Sequence, residues 1–340
     1  MTPAQHENQS RRLLRPGGDV PGPGTVVVTG ASSGIGLCTA LAFARQGADL
    51  VLVARDVDRL AEAAGRCRAA GSRVVAIAGD VTDSTRMRDV VEGATAAFGR
   101  VDVWVNNAGT SLWGPFEDIP AEVHHQLLAV DLIGAVNGAH AVIPQFLAQG
   151  GTGVIINVVS IGGRIPSPWA ATYSAAKFGL AGFTDALRAE LGSRSNIAVC
   201  GVYPAFVDTP TAARSGNYTG RSLRPVPPVV SPERVAAAIV SLARHPRRSR
   251  RVGSLHGLSA LQAIAPEVAG RMAAWLGGWY FLRAGAPAAP TPGALFGTRP
   301  APVSGRGGWR PKVCGTTVRR VAGDPVLPRR SRGADRGHAG

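Results

Sequence analysis

The sequence predicts an α/β protein built on a doubly wound parallel sheet, and three observations predict it. Short β-branched runs alternate with apolar-periodic segments of about 12 to 16 residues, the pattern of right-handed βαβ units whose sheet is covered by helices on both faces. The first run, Thr25–Thr29, breaks into a glycine-rich turn and then an apolar segment, Ile35–Gln46, which is the strand–turn–helix context of a phosphate-cradling loop. At 340 residues and 45% hydrophobic, the chain can bury one core of about 230 residues and still leave tails.

Taken in order, residues 1–24 are polar and then rich in Pro and Gly, which reads as a disordered lead-in. The turn after the first strand is Thr29-Gly30-Ala31-Ser32-Ser33-Gly34-Ile35-Gly36. Its glycines let backbone approach a pyrophosphate, and the helix that follows offers free N–H groups and a positive dipole end. The second strand, Asp49–Val53, ends in Ala54-Arg55-Asp56. An acidic residue directly at this strand end favours the ribose 2′-hydroxyl of NAD, whereas an arginine can receive a 2′-phosphate. With Ala54 followed by Arg55, the reading is NADP(H), with NAD the less favoured cofactor.

A helix over Asp56–Ala70 and a strand over Arg73–Ala78 come next, leaving through Gly79-Asp80-Val81. Asp83–Phe98 is helical, capped by Thr82 or Asp83, and Val101–Val105 is a buried strand ending in Asn106-Asn107-Ala108-Gly109. Pro120–Gln149 is one long helical stretch holding Asp131, and Gly153–Val159 is a strand that delivers Ser160 at its carboxyl end, where open parallel sheets bind ligands. Asn196–Tyr203 is the next strand, running into Pro204-Ala205-Phe206-Val207-Asp208-Thr209. Residues 210–230 read as a mobile lid whose Tyr218, Leu223, Val226, Val229 and Val230 suggest a partly apolar substrate. Ser231-Pro232-Glu233 then opens a helix that runs to about Arg244.

The chemistry gathers in Ser160–Lys177. Tyr173 and Lys177 are four residues apart, so a helix puts them on one face, one turn apart. An ammonium beside a phenol favours the phenolate and draws its pKa toward neutrality, which makes an acid–base pair. Lys177 and Lys312 are the only lysines among 37 basic residues, and a chance Tyr-x-x-x-Lys match in such a chain is expected only about 0.02 times. A compact ammonium can also reach a ribose hydroxyl where a planar guanidinium cannot substitute.

The glycine loop with spacing G-x-x-x-G-x-G, the Asn106–Gly109 run, Ser160 thirteen residues before Tyr173, and the Tyr173/Lys177 pair together resemble the short-chain dehydrogenase/reductase family over roughly residues 25–255. The resemblance implies a Rossmann-like sheet and an NADP(H)-dependent oxidoreductase that interconverts an alcohol and a ketone or aldehyde. It implies that Ser160 bonds the substrate oxygen, Tyr173 transfers the proton, and Lys177 binds the nicotinamide ribose while lowering the phenol pKa. Gly30, Ser32, Ser33, Gly34, Ile35 and Gly36 form the phosphate loop, Asp80 and Val81 meet the adenine, Asn107, Ala108 and Gly109 lie against the cofactor, and Pro204, Val207 and Thr209 flank the nicotinamide. Two positions depart from the pattern: Ala205 replaces a glycine, and Asp131 stands where the family carries its fourth catalytic residue, an asparagine. The added charge at Asp131 opens an alternative, a catalytically weak NADP(H)-binding member acting as sensor or scaffold.

Net charge is +15, but residues 284–340 alone carry ten Arg or Lys against two Asp, so much of the excess belongs to the tail. No nucleic-acid motif accompanies it, and nucleic acid is not an expected partner. The four cysteines show no metal or redox spacing, the seven histidines no shared ligand face, and no metal site is expected. There is no signal-peptide pattern and no charge-free run of about 18 apolar residues, so the expected location is cytoplasmic, with contact at a membrane surface left open. That contact would use residues 244–283, where an arginine cluster precedes an amphipathic extension over 256–283; the other use of this extension is packing or subunit contact in a homo-oligomer. From Ala284 onward, low complexity reads as a disordered basic tail.

Overall fold

The computed structural model describes residues 24–254, 262, 264–298 and 303–309. The expected lead-in up to residue 23, the segment 255–261 and the tail from 310 lie outside the described residues. Seven parallel strands form one sheet: β1 (Thr25–Thr29), β2 (Asp49–Ala54), β3 (Val74–Ala78), β4 (Val103–Asn106), β6 (Thr152–Val158), β7 (Asn196–Pro204) and β9 (Ser249–Val252), in the order β3-β2-β1-β4-β6-β7-β9. A two-stranded pair, β5 (Leu112–Trp113) with β8 (Gly216–Asn217), stands apart from it. Strand order reverses between β1 and β4, so a crevice opens beyond their carboxyl ends, where the glycine turn and Asn107–Gly109 emerge.

The alternation of strand side chains makes two separate cores. Val26, Val28, Leu50 and Leu52 face helices α1 (Gly34–Ala44), α2 (Val57–Ala69) and α8 (Pro232–Arg244). Val27, Val51, Val53 and Trp104 face α3 (Ser84–Phe98), α5 (Gly134–Ala148) and the distal part of α6 (Ala171–Gly192). Asp56 and Asp83 cap α2 and α3 by accepting from backbone N–H groups, and Gly99, at φ 80°, ends α3 in a left-handed turn. Ser231 precedes α8 in extended geometry but makes no side-chain cap bond to the helix backbone.

The long helical stretch is α4 (Ala121–Leu128), a π-helical turn over Ala129–Ile133, and α5. By length and hydropathy Ala121–Ala148 is long and apolar enough to cross a membrane, but half of its apolar window is buried in the molecule, and it serves as a core helix. The π turn carries Asp131, an irregularity of the kind that re-aims side chains at functional sites.

Two expectations fail beyond Pro204. The lid segment is tied down: after a short helix, α7 (Thr211–Arg214), β8 pairs with β5, and Ser215, Asn217 and Thr219 are buried. The tail is ordered in part. A final helix, α9 (Pro266–Leu282), hands over to a strap in which Thr291 bridges Asn217, and Leu295 is fully buried among Leu112, Ile119, Val123 and Leu127. Residues 303–309 continue across the body, with Arg306 on Glu233 at 2.8 Å and the Gly307 and Trp309 N–H groups on Asp208. Composition called this segment disordered because its few apolar residues are spread thinly; a single leucine in a ready-made socket anchors it.

Candidate active site

The cleft at the strand-order reversal gathers nearly every residue singled out from the sequence. Gly30, Ser32, Ser33, Gly34, Ile35, Arg55, Asp80, Val81, Asn107, Ala108, Gly109, Ser160, Tyr173, Lys177, Pro204, Val207 and Thr209 all line it. Gly36 and Asp131 do not reach its surface. A Cβ on Gly36 would come within 2.3 Å of the Gly30 carbonyl, so this glycine is what lets the loop close on α1. Gly30 has φ 66°, and a Cβ there would sit 2.8 Å from Ala108 Cα, which holds the two walls of the cleft at backbone contact.

The loop is fixed from β4. Asn107 Nδ2 donates to the Thr29 carbonyl at 2.8 Å, and the Asn107 and Ala108 N–H groups donate to Thr29 Oγ1 at 3.0 and 3.1 Å. A second, fully internal chain was not legible: Trp104 Nε1 donates to Asn106 Oδ1, Asn106 Nδ2 to Asn157 Oδ1, and Asn157 Nδ2 to Thr184 Oγ1 on α6. It ties β4, β6 and the helix bearing Tyr173 into one block. Spacing gives no sign of it, since the partners lie 27 and 51 residues apart.

Ser160 leaves β6 with its hydroxyl accepting from the Gly162 N–H at 3.0 Å and within reach of the Tyr173 phenol. Lys177 Nζ lies 5.7 Å from the centre of the Tyr173 ring. Its close partner is Asp131, whose Oδ2 is 3.0 Å away, both side chains almost wholly buried. Asp131 Oδ1 also accepts from the Thr110 N–H at 2.8 Å. Asp131 therefore pairs with the lysine directly through its side chain.

This pairing overturns the expected electrostatics of the phenol. Burial pushes the Tyr173 pKa above its ordinary value; Lys177 pulls it down, but the Asp131 carboxylate pushes it up again. Burial alone would lower the Lys177 pKa, yet the Asp131 carboxylate beside it outweighs that and holds the ammonium charged. The raised pKa leaves Tyr173 a neutral phenol at neutral pH.

At the other end of the cleft, the residue expected to take a 2′-phosphate is already engaged. Arg55 Nη1 donates to the Leu295 carbonyl at 2.9 Å and reaches Asp80 at 3.5 Å, and Nη2 donates to the Ala294 carbonyl. Asp80 Oδ1 is taken by the Thr82 N–H and hydroxyl. Two arginines that the sequence reading missed line the same cleft: Arg59, one turn along α2, and Arg214, whose Nη2 donates to Ser33 Oγ. Arg59 Nη1 and Arg214 Nε are buried without a hydrogen-bond partner. Burial and then Arg59 pull the Arg214 pKa down to about 10, with Arg55 adding to the effect against Asp56. Arg55 stands before the extended cap Asp56, so no helical spacing links it to Arg59, and nothing in the sequence marks Arg214. The Gly34 N–H at the head of α1 donates to the Ser304 carbonyl of the strap.

The family model for short chain dehydrogenases matches residues 24–218. The chain belongs to the short-chain dehydrogenase family. It is 33% identical over 250 residues to the uncharacterized oxidoreductase YxnA of Bacillus subtilis, covering 73% of this chain and 70% of that one. It is 34% identical over 286 residues to the probable oxidoreductase EphD of Mycobacterium tuberculosis, covering 78% of this chain but 48% of EphD, so the chain spans about half of that protein's length. Among solved structures, a short-chain dehydrogenase/reductase from Burkholderia phymatum in complex with NAD superposes with a TM-score of 0.67 at 25% identity, over 72% of this chain and 94% of that one. Actinorhodin polyketide ketoreductase with NADPH superposes with a TM-score of 0.60 at 30% identity, over 68% and 97%. The chain is an oxidoreductase of this family with a nicotinamide-dinucleotide cleft; its relatives divide between the two cofactors.

Proposed function

We propose that the chain is an NADP(H)-dependent oxidoreductase that reduces a ketone or aldehyde to an alcohol, with Tyr173 as the proton donor. The observation that carries the chemistry is the convergence of Ser160, Tyr173 and Lys177 at one end of a cleft whose other end is lined by arginine. A nicotinamide dinucleotide, when bound, supplies the hydride. The Ser160 hydroxyl then orients the carbonyl oxygen, and the Tyr173 hydroxyl delivers its proton to that oxygen as negative charge develops on it. A phenol held neutral by burial and by Asp131 suits this direction, since alcohol oxidation needs the phenolate. Lys177, fixed by Asp131, presents its ammonium on the cleft side for a ribose hydroxyl.

Arg59 and Arg214 favour NADP(H). Arg59 Nε is paired with Asp56 at 2.9 Å, but Arg59 Nη1 and Arg214 Nε stay buried without a partner, and a 2′-phosphate would answer both with charge-assisted hydrogen bonds. Arg214→Ala is expected to raise KM for NADPH at least about tenfold while moving KM for NADH less than about threefold. An unchanged NADPH/NADH preference refutes the cofactor assignment. NADPH oxidation against a panel of carbonyl compounds tests the reaction itself.

The Asp131–Lys177 ion pair favours a second reading, a weakly catalytic NADP(H)-binding member, because it replaces the family's asparagine with a group that neutralises the lysine. Tight NADPH binding with no turnover across the panel would select it.

A further inference from the structure

Helix α9 presents its least soluble face to solvent. Phe281 is buried and stacks on Trp113 at 4.3 Å, Tyr280 donates to the Pro225 carbonyl at 3.0 Å, and the Trp169 ring lies against Gly277 and Gly278, so the inner face is fully used. On the outer face stand Val268, Met272, Trp275, Leu276 and Trp279, with Trp275 75% and Trp279 61% exposed; Ile264, exposed as well, precedes the helix. Five of the twelve large apolar side chains exposed among the described residues are gathered on this one helix, so the patch is not the scatter of single apolar residues that any surface shows. At 3.6 residues per turn these five span an arc of about 100°.

The charges around this arc decide what covers it. Exposed Arg271 borders it and exposed Arg283 closes its carboxyl end; exposed Arg224 sits near Tyr280, and Glu267 is the one acid in the helix. Two copies packed through this face would set arginine against arginine with too few carboxylates to answer them. An anionic bilayer answers both features, taking tryptophan at headgroup depth and arginine at its phosphates. The same helix walls the cleft: Phe281, Trp113, Leu223 and Pro225 line its substrate end.

We propose that the outer face of α9 docks the chain on an anionic lipid surface, and that the cleft mouth beside it takes a lipid-partitioned alcohol or carbonyl compound. The docking half stands without the proposed reaction; the substrate half rests on it.

The test is sedimentation of the full chain with phosphatidylcholine vesicles, with and without about one-third phosphatidylglycerol. Binding is expected to the anionic vesicles, to fall at least about tenfold in a Trp275→Ser/Trp279→Ser chain, and by about fivefold for each of Arg271→Gln and Arg283→Gln. Melting temperatures of these surface variants should match the parent. Absence of vesicle binding, equal binding by the tryptophan variant, or a light-scattering mass that drops from dimer to monomer in that variant overturns the docking. For the substrate half, vesicles should lower the apparent KM for a long-chain ketone in the parent but not in the tryptophan variant, and leave a water-soluble ketone unchanged. Equal effects on the two ketones overturn it with docking intact. No turnover of either ketone instead overturns the proposed reaction and the substrate half with it, leaving the sedimentation result standing.

Discussion

Asp131→Asn separates the charge of the buried pair from its shape. The carboxylate lies 3.0 Å from Lys177 Nζ, which lies 5.7 Å from the Tyr173 ring centre, so it is no farther than about 9 Å from that ring. At an effective dielectric constant of about 20, a unit charge at about 9 Å is worth about 2 kcal/mol, or roughly 1.4 pKa units. A negative charge raises a phenol pKa, so its removal lowers it, and the lysine left behind acts on the phenol unopposed. Alcohol oxidation requires the phenolate and therefore climbs with pH through this pKa. The expected outcome is a limb of kcat/KM against pH displaced by about one unit toward lower pH, with the alkaline fall of carbonyl reduction displaced the same way. Leaving a buried ammonium without its carboxylate also costs stability, about 3–5 kcal/mol, so the profiles are to be recorded below the variant's melting transition. A limb that stays in place, or moves to higher pH, shows that Asp131 does not set the proton affinity of Tyr173.

Tyr173→Phe should abolish turnover while leaving the NADPH dissociation constant within about threefold, measured by cofactor fluorescence; residual activity near the parent's would remove the phenol from the chemistry. Leu295→Ala should destabilise the body by about 2–5 kcal/mol in urea unfolding, because this leucine fills a socket with no exposure; a change under about 0.5 kcal/mol would mean that the strap does not hold on the body. Arg55→Gln should leave the NADPH/NADH preference within about threefold, since this side chain is committed to the Ala294 and Leu295 carbonyls; a large shift would return the 2′-phosphate to Arg55. Burial pushes the Cys38 and Cys67 thiols up to about 11, so in a Cys314→Ser chain neither should alkylate appreciably with iodoacetamide at pH 8 before unfolding; rapid modification of the folded chain would contradict that burial.

Local rules carried most of the fold into the sequence. Strand periodicity, the glycine turn and helix caps act over a few residues, so Thr25–Thr29, the loop to Gly36 and a cap at Thr82 or Asp83 were legible, while Asp56, read as the first helical residue, proves to be a cap. The site residues were legible for the same reason: they sit at strand ends or one helical turn apart, and the parallel sheet brings strand ends together without further instruction. What escaped depends on partners far along the chain. The effect of Lys177 on Tyr173 follows from their spacing, but its cancellation follows from Asp131, 46 residues earlier, reaching the lysine directly from a π turn. Arg55 was read from its place after β2, while its true neighbours are carbonyls some 240 residues away. The charge of Asp131 was expected to raise the Lys177 pKa, and it does; for Arg55 the residue type was read correctly but not the carbonyls that engage it, because a side chain's sequence neighbours do not reveal which distant group has already claimed it. Arg214 Nε and Arg59 Nη1, which no group has claimed although Arg59 Nε pairs with Asp56, are therefore better evidence of what enters the cleft than the arginine whose position first suggested it.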